Sequence, residues 1–215
     1  MIDKTFWILG GACTGKTTLA TALCDLTGHQ LIDMDARIYG TWMPMYSAEK
    51  YPGNHAWIQQ SNALEWALQQ TDEAYIHHCE KTSREYYQLL AIELESQDRR
   101  RTTIVDGGFS SLVPWIGDIQ QSNAICLDVS RDLAVSEWNS HPDRVSFKHE
   151  ILALPNGEKK WQRFLELDAL ITCQLVDQAQ TLGLPVIYAR RADRLGSVVE
   201  QLIELWALTK RPRAS

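Results

Sequence analysis

Gly10-Gly11-Ala12-Cys13-Thr14-Gly15-Lys16-Thr17 is the stretch on which the reading of this chain turns. It fits G-x-x-x-x-G-K-[ST], and its surroundings fit as well. Before it stands Thr5-Phe6-Trp7-Ile8-Leu9, β-branched and aromatic, the composition of a buried strand. After it, residues 16–27 place Leu19, Leu23 and Leu26 at i, i+4 and i+7, and Gly28 follows as a helix stop. Strand, glycine loop and helix together make a phosphate cradle. Glycines let backbone N–H groups converge on phosphate oxygens, and the helix N-terminus adds its positive dipole end. Gly10, Gly11, Ala12, Cys13, Thr14, Gly15, Lys16, Thr17 and Thr18 are therefore expected to surround a nucleoside triphosphate, taken as ATP. Lys16 is expected on the β- and γ-phosphates, and the Thr17 hydroxyl on Mg²⁺. The competing reading is a glycine-rich turn with an accidental lysine. Cys13 reads as a small space-filling residue rather than a nucleophile.

Around this loop, strands alternate with helices. Gln30-Leu31-Ile32 is a short second strand ending at Asp33, and Thr102 to Val105 a third, running into Asp106-Gly107-Gly108. Ala124 to Leu127 makes a fourth strand and Pro185 to Ala189 a fifth. Helices are expected over about 56–70, 72–96, 131–138, 161–182 and 198–208. Short strands, apolar on both faces, predict an α/β protein with a parallel sheet covered on both sides. Two stretches interrupt this core, 36–100 and 139–160. They read as attachments to a single domain spanning 1–215.

The chain has 215 residues, of which 45% are hydrophobic and 22% charged, the range of a soluble globular protein. A net charge of −6 argues against general binding to nucleic acid or anionic membrane. No stretch reaches the ~18–20 apolar residues of a membrane span. Five widely spaced cysteines form no C-x-x-C pair, so neither zinc nor a disulfide framework is expected, and a reducing cytoplasm is the natural setting.

The carboxylates narrow the chemistry. Asp33-Met34-Asp35 follows the second strand and Asp106 the third. In an open parallel sheet these strand ends share one edge with the phosphate loop. If the segment stays extended, Asp33 and Asp35 point to the same side; the competing reading is helix capping, with Asp35 before a helix at Ala36. Such a loop with an early D-x-D resembles the shikimate kinase and dephospho-CoA kinase group. Ile104-Val105-Asp106-Gly107-Gly108-Phe109 resembles both the glycine turn of shikimate kinases and the Asp-Gly-Phe turn of nucleoside monophosphate kinases.

The resemblance to these small P-loop kinases implies a three-layer fold, with five parallel strands in the order 2-3-1-4-5 and helices on both faces. It implies that Asp35 binds the acceptor and serves as base, that Asp33 lies near the metal, and that Asp106 holds Mg²⁺ through water. It also implies a lid after the fourth strand, with Arg144 as the arginine lowered onto the phosphates. Arg190, after the fifth strand, would lie against the adenine. The departures are specific. Ser83-Arg84-Glu85-Tyr86-Tyr87 does not match the F-R-x-x-E of shikimate kinases, Phe109 replaces the third glycine, and no Pro-Arg follows. The 36–100 segment is also longer than a shikimate kinase needs, which favours a different or bulkier acceptor.

There is no N-K-x-D and no L-S-G-G-Q, and the length is short for a AAA-type motor. The expected activity is transfer of the ATP γ-phosphate to a hydroxyl of a small-molecule acceptor. The alternatives are a nucleoside or nucleotide kinase and, in another class, a nucleotide-regulated binding protein with weak ATPase. Lys148, Lys159 and Lys160 read as solvated, His141 as a turn residue, and Arg99-Arg100-Arg101 as a turn at the far edge. His77-His78 are adjacent and lack the i, i+4 spacing that would suit a metal. Trp57 and Trp66 read as core or pocket wall.

Overall fold

A computed structural model describes residues 4–97, 101–113, 121–188 and 195–211. Five strands make one all-parallel sheet: β1 (Thr5–Gly10), β2 (Gln30–Asp33), β3 (Thr103–Asp106), β4 (Ala124–Asp128) and β5 (Val186–Tyr188). Their order is β2-β3-β1-β4-β5. β1 is buried along its whole length, and its side chains sort by the period of two. Trp7 and Leu9 enter one core with Ile32, Met34, Val105, Leu90, Ile171 and Leu175. Phe6 and Ile8 enter the other with Leu19, Leu23, Ile104, Ile125, Val199 and Leu202. Each such buried side chain contributes roughly 1.5–3 kcal/mol.

The first core is closed by α5 (Asp72–Ser96) and α8 (Gly157–Thr181), the second by α1 (Lys16–Thr27) and α9 (Leu195–Leu205). α1 ends where expected, the Gly28 N–H donating to Cys24 O at 2.7 Å. Its buried row is Leu19, Leu23 and Thr27, while Leu26 is exposed. At 100° per residue the buried Leu19, Leu23, Thr27 and Ala20 span an arc of about 100° on one side of Leu19, and Leu26 falls about 20° outside its other edge.

The 36–100 segment differs from its expected shape. The helix expected over 56–70 is two helices, α3 (Pro52–Ile58) and α4 (Ala63–Leu68). Asn62 breaks it by capping α4, its Oδ1 accepting from Glu65 N at 2.9 Å. Asp33, the last residue of β2, does the same. Its Oδ1 accepts from Ala36 N at 3.0 Å and starts α2 (Met34–Ala36), which a π-turn at Arg37–Thr41 continues. The segment is therefore not extended, and the capping role falls to Asp33 rather than Asp35.

The 139–160 stretch is also more regular than its polar sequence promised. α6 (Arg131–Ser140) is followed directly by α7 (Pro142–Leu152), and α8 begins at Gly157 rather than near 161. These helices and α4 enclose a third apolar cluster off the sheet, with Leu68, Trp138, Ile151, Trp161 and Leu165.

The β1 exit is the tightest point of the fold. Gly10 has φ 134° and pairs with Leu127 of β4, and a Cβ there would overlap the Leu127 carbonyl oxygen. Gly10→Ala combines left-handed strain with a backbone clash, so it should cost about 2–4 kcal/mol. At roughly 2–4 °C per kcal/mol for this size, a calorimetric Tm should fall by about 5–15 °C. A Tm within 2 °C of wild type would show that β1 and β4 can part here at little cost.

Candidate active site

The loop after β1 has the features that hold phosphate. Gly15 stands at the N-cap of α1 with no side chain capping it, so the first N–H groups of the helix face the loop mouth. Thr14 Oγ1 donates to Gly11 O at 2.9 Å and holds the curl from inside. Lys16 Nζ donates to the same carbonyl at 2.6 Å. Its stem lies across Gly107, where a Cβ would overlap Lys16 Cε. The Gly107-Gly108 turn after β3 thus makes room for the lysine, and that is the work of this glycine pair at Gly107. Thr17 and Thr18 are exposed at the mouth. Ala12 and Cys13 pack against the Trp138 cluster. Burial pushes the Cys13 thiol up to about 11, which fits a filler and not a nucleophile.

Parallel register sets the acids beside this loop. Ile8 of β1 pairs with Asp106, and Asp106 with Asp33, the last residues of β3 and β2. Asp106 is 4% exposed and closes β3 instead of following it. Burial raises its pKa, opposed by a side-chain hydrogen bond with Thr17 and by the Lys16 ammonium; Asp33 and Asp35 raise it further. Its Oδ1 is buried and meets no hydrogen-bond donor. A buried carboxylate oxygen without a donor, beside a threonine hydroxyl, fits a place where a cation and its water would bind. Among the described residues no three His, Cys, Asp or Glu side chains form a cage for a metal. Mg²⁺ suits such a site, since it takes one or two carboxylates and the substrate phosphates. Thr17 and Asp106 are the residues that could hold it. Asp33 already spends one oxygen on the Ala36 cap.

Asp35 lies in the first turn of α2 and is exposed. The protein walls around it nevertheless raise its pKa, with Lys16 and Arg144 acting against that shift and Asp33 with it. Lys16 is held below the ordinary lysine value by burial, while Asp106 and Asp35 pull it back up. Lys16, Asp35, Asp106 and Arg144 thus share one electrostatic neighbourhood. Arg144 reaches it from the first turn of α7, its guanidinium 4.3 Å from the Trp138 ring centroid. Arg190 and Arg191 lie outside the described residues, as do Arg99 and Arg100.

With the loop after β1 and acids at the ends of β2 and β3, the order β2-β3-β1-β4-β5 decides the architecture. The chain has the P-loop kinase fold. A scan of protein-family models finds no match to the sequence, and neither does a search of curated proteins. Among solved structures it is similar to shikimate kinase from Acinetobacter baumannii in complex with shikimate. That match has 16% sequence identity and a TM-score of 0.47, over 94% of this chain and 92% of that one. Shikimate kinase from Bacteroides thetaiotaomicron matches at 16% identity and a TM-score of 0.47, over 95% of this chain and 98% of that one. Likenesses this remote carry nothing about reaction or substrate. No helix among the described residues is long and apolar enough to cross a membrane.

In this P-loop kinase fold the segment after β2 carries aromatic residues beyond Asp35. Tyr39, on the π-turn after Asp35, is 64% exposed and meets Trp57 edge-on at 6.2 Å. Trp57 is aimed by Asn54, whose Oδ1 accepts from its Nε1 at 3.1 Å. α3 is pinned to α5 by buried Glu85, which accepts from Gly53 N at 2.7 Å and Asn54 N at 2.8 Å. The acid of Ser83-Arg84-Glu85 therefore satisfies a helix N-terminus. By helical spacing Arg84 lies opposite the row Cys79, Ser83, Tyr86 and Leu90, and it is exposed. Arg37 is turned into a bidentate pair with Glu93 at 3.0–3.1 Å. Lys160 pairs with Glu65 and Arg163 with Asp72, at 2.7 Å for the second, so these two tie α8 to the insertion rather than standing free. Burial lowers His78 to about 4, and its ring sits against Trp66 at 4.9 Å, so a packing role replaces any ligand role.

Trp138 and Asp168 escaped the sequence reading. Both carry polar groups toward the loop from helices that bear no motif. Only the proximity of Trp138 to Arg144 in sequence was a signal.

Proposed function

We propose that this protein is an ATP-dependent phosphotransferase that moves the γ-phosphate to a hydroxyl of a small molecule lacking phosphate and carboxylate. One observation carries the reading: exposed Asp35 lies within the electrostatic reach of both Lys16 and Arg144, where an acceptor would approach. Lys16 and the α1 N-terminus would hold the triphosphate, and Thr17 and Asp106 would hold Mg²⁺, which neutralises phosphate charge when bound. Asp35 would orient the acceptor hydroxyl and take its proton, and Arg144 would stabilise charge on the phosphoryl oxygens.

The distribution of cations supports a hydroxyl acceptor over a nucleotide. A phosphate monoester or carboxylate needs a basic partner, as bidentate arginine supplies. Residues 38–80 contain one lysine, Lys50, which is exposed, and no arginine. Residues 102–130 contain neither. Arg37 is spent on Glu93 and Arg84 faces outward. Exposed Tyr39 and half-buried Trp57 offer an apolar wall instead.

The test is acceptor-dependent ADP release with a library of matched pairs, each acid or phosphate monoester beside its amide or free alcohol. Shikimate and its carboxamide, and uridine and its 5′-monophosphate, are two such pairs. Transfer is expected to uncharged or cationic members, and only with Mg²⁺ present. Preference for the phosphate monoesters would restore the nucleotide-kinase alternative, and preference for the carboxylic acids would overturn the uncharged acceptor while keeping a hydroxyl as the phosphorylated group. Tight Mg·ATP binding with no transfer across the library would favour the regulatory binding protein.

A further inference from the structure

We infer that Asp168 is a positioning residue for Arg144, acting through the indole of Trp138. The inference rests on the proposed role of Arg144 toward the phosphates.

The chain of contacts is short. The Arg144 guanidinium lies over the Trp138 ring, 4.3 Å from its centroid. Trp138 Nε1 donates to Asp168 Oδ2 at 2.9 Å. Asp168 stands on α8 one turn before Thr172, and Thr172 is packed so closely on Gly11 that a Cβ there would overlap its Oγ1. α8 is thereby held against the phosphate loop, and the loop, Asp168, Trp138 and Arg144 form one connected unit.

Trp138 has little freedom to turn. It is 8% exposed and meets Phe164 edge-on at 4.6 Å and 90°, Trp161 at 6.4 Å and 81°, and Phe147 at 5.8 Å. Its ring face is the platform for Arg144, and the N–H bond to a carboxylate sets the rotation of that face. A ring quadrupole attracts a cation only over its face, so the setting of the indole decides where the guanidinium rests.

Charge adds to geometry. Lys16 and Arg144 are like charges in one cleft, and Arg144 disfavours the charged form of Lys16. Asp168 acts on both with the opposite sign. A carboxylate behind the indole therefore lets two cations approach one phosphoryl group. A cavity of about 60 Å³, lined in part by Asp128, Arg131, Val135, Asp168 and Thr172, flanks the acid and is large enough for water. A purely structural bond to Trp138 would require neither the charge of Asp168 nor its tie to Arg144.

The test compares two affinities by calorimetry, Mg·ADP alone and Mg·ADP with aluminium fluoride, a mimic of the transferring phosphoryl group. In the wild type the fluoride complex should bind far more tightly. Arg144→Ala should lose about 10²–10³-fold of that gain, far more than it changes the affinity for Mg·ADP alone. Asp168→Asn keeps an acceptor for the indole and loses the charge, whereas Trp138→Phe keeps a ring and loses the N–H. Each should lose about tenfold of the gain, within the coupling expected of contacting residues. Adding either to Arg144→Ala should cost nothing further. Full gain in Asp168→Asn, or losses that multiply in the double variants, would overturn the inference. If Trp138→Phe does not fold, nearly isosteric Asp168→Asn decides alone. Unchanged gain in Arg144→Ala would instead remove Arg144 from the phosphate site, a different failure and one visible in a different variant.

Discussion

Lys16→Ala should lose phosphoryl transfer by about 10²–10³-fold or more, while its circular dichroism and unfolding temperature stay close to wild type. The lysine is the one loop side chain that carries positive charge into the nucleotide's place, and removing such a group costs roughly 2.7–4 kcal/mol at the transition state. Its structural ties are few: one hydrogen bond to Gly11 O at 2.6 Å and the passage of its stem over Gly107. A single hydrogen bond contributes about 1 kcal/mol, and deleting a desolvated ammonium relieves part of its own burial cost. Titration with Mg·ATP and turnover with any working acceptor test this together. Unchanged affinity with unchanged turnover would end the assignment of this loop to the triphosphate.

Asp35→Asn should reduce turnover by about 10²–10⁴-fold, with Mg·ATP affinity changed only a few-fold. The substitution preserves size and removes the base. It should also leave stability alone, because Asp33 and not Asp35 makes the bond to Ala36 N. The pH profile gives a second readout. A base works only when deprotonated, and the walls around Asp35 raise its pKa above the ordinary carboxylate value. Wild-type turnover should therefore fall, as pH is lowered, through a limb lying above the usual carboxylate range, and Asp35→Asn should lack that limb. A nucleotide monophosphate acceptor is already ionised at neutral pH and needs no base. Near-normal turnover in the variant would point to that acceptor class.

The two acids separated by one residue show how far local sequence carries. D-x-D placed both near the phosphate loop, since strand ends share an edge in a parallel sheet. Which of them caps a helix depended on whether residue 34 continued the strand or began to coil. Met34 is fully buried in the core under Gly108, and that contact belongs to the tertiary structure. The break at residues 59–62 is similar. Asn62 is a good cap, but apolar residues on both sides read equally well as one helix.

Short-range sequence is enough to read the phosphate loop, the span of α1 from Lys16 to Thr27, the span of α5 from Asp72 to Ser96, and the alternation that makes the sheet parallel. These depend on neighbours within a few residues: glycines at fixed offsets, periods of 3.6 and 2, and caps. Tertiary structure alone decided that α7 is a helix under an aromatic cluster, that Glu85 serves a helix N-terminus 31–32 residues away, and that Arg37 is spent on Glu93. It also brought Asp168 behind Trp138, across 30 residues of chain. Such pairings have no spacing rule. They form because a buried carboxylate must find its donors wherever packing has brought them, and sequence does not record which distant helix that will be.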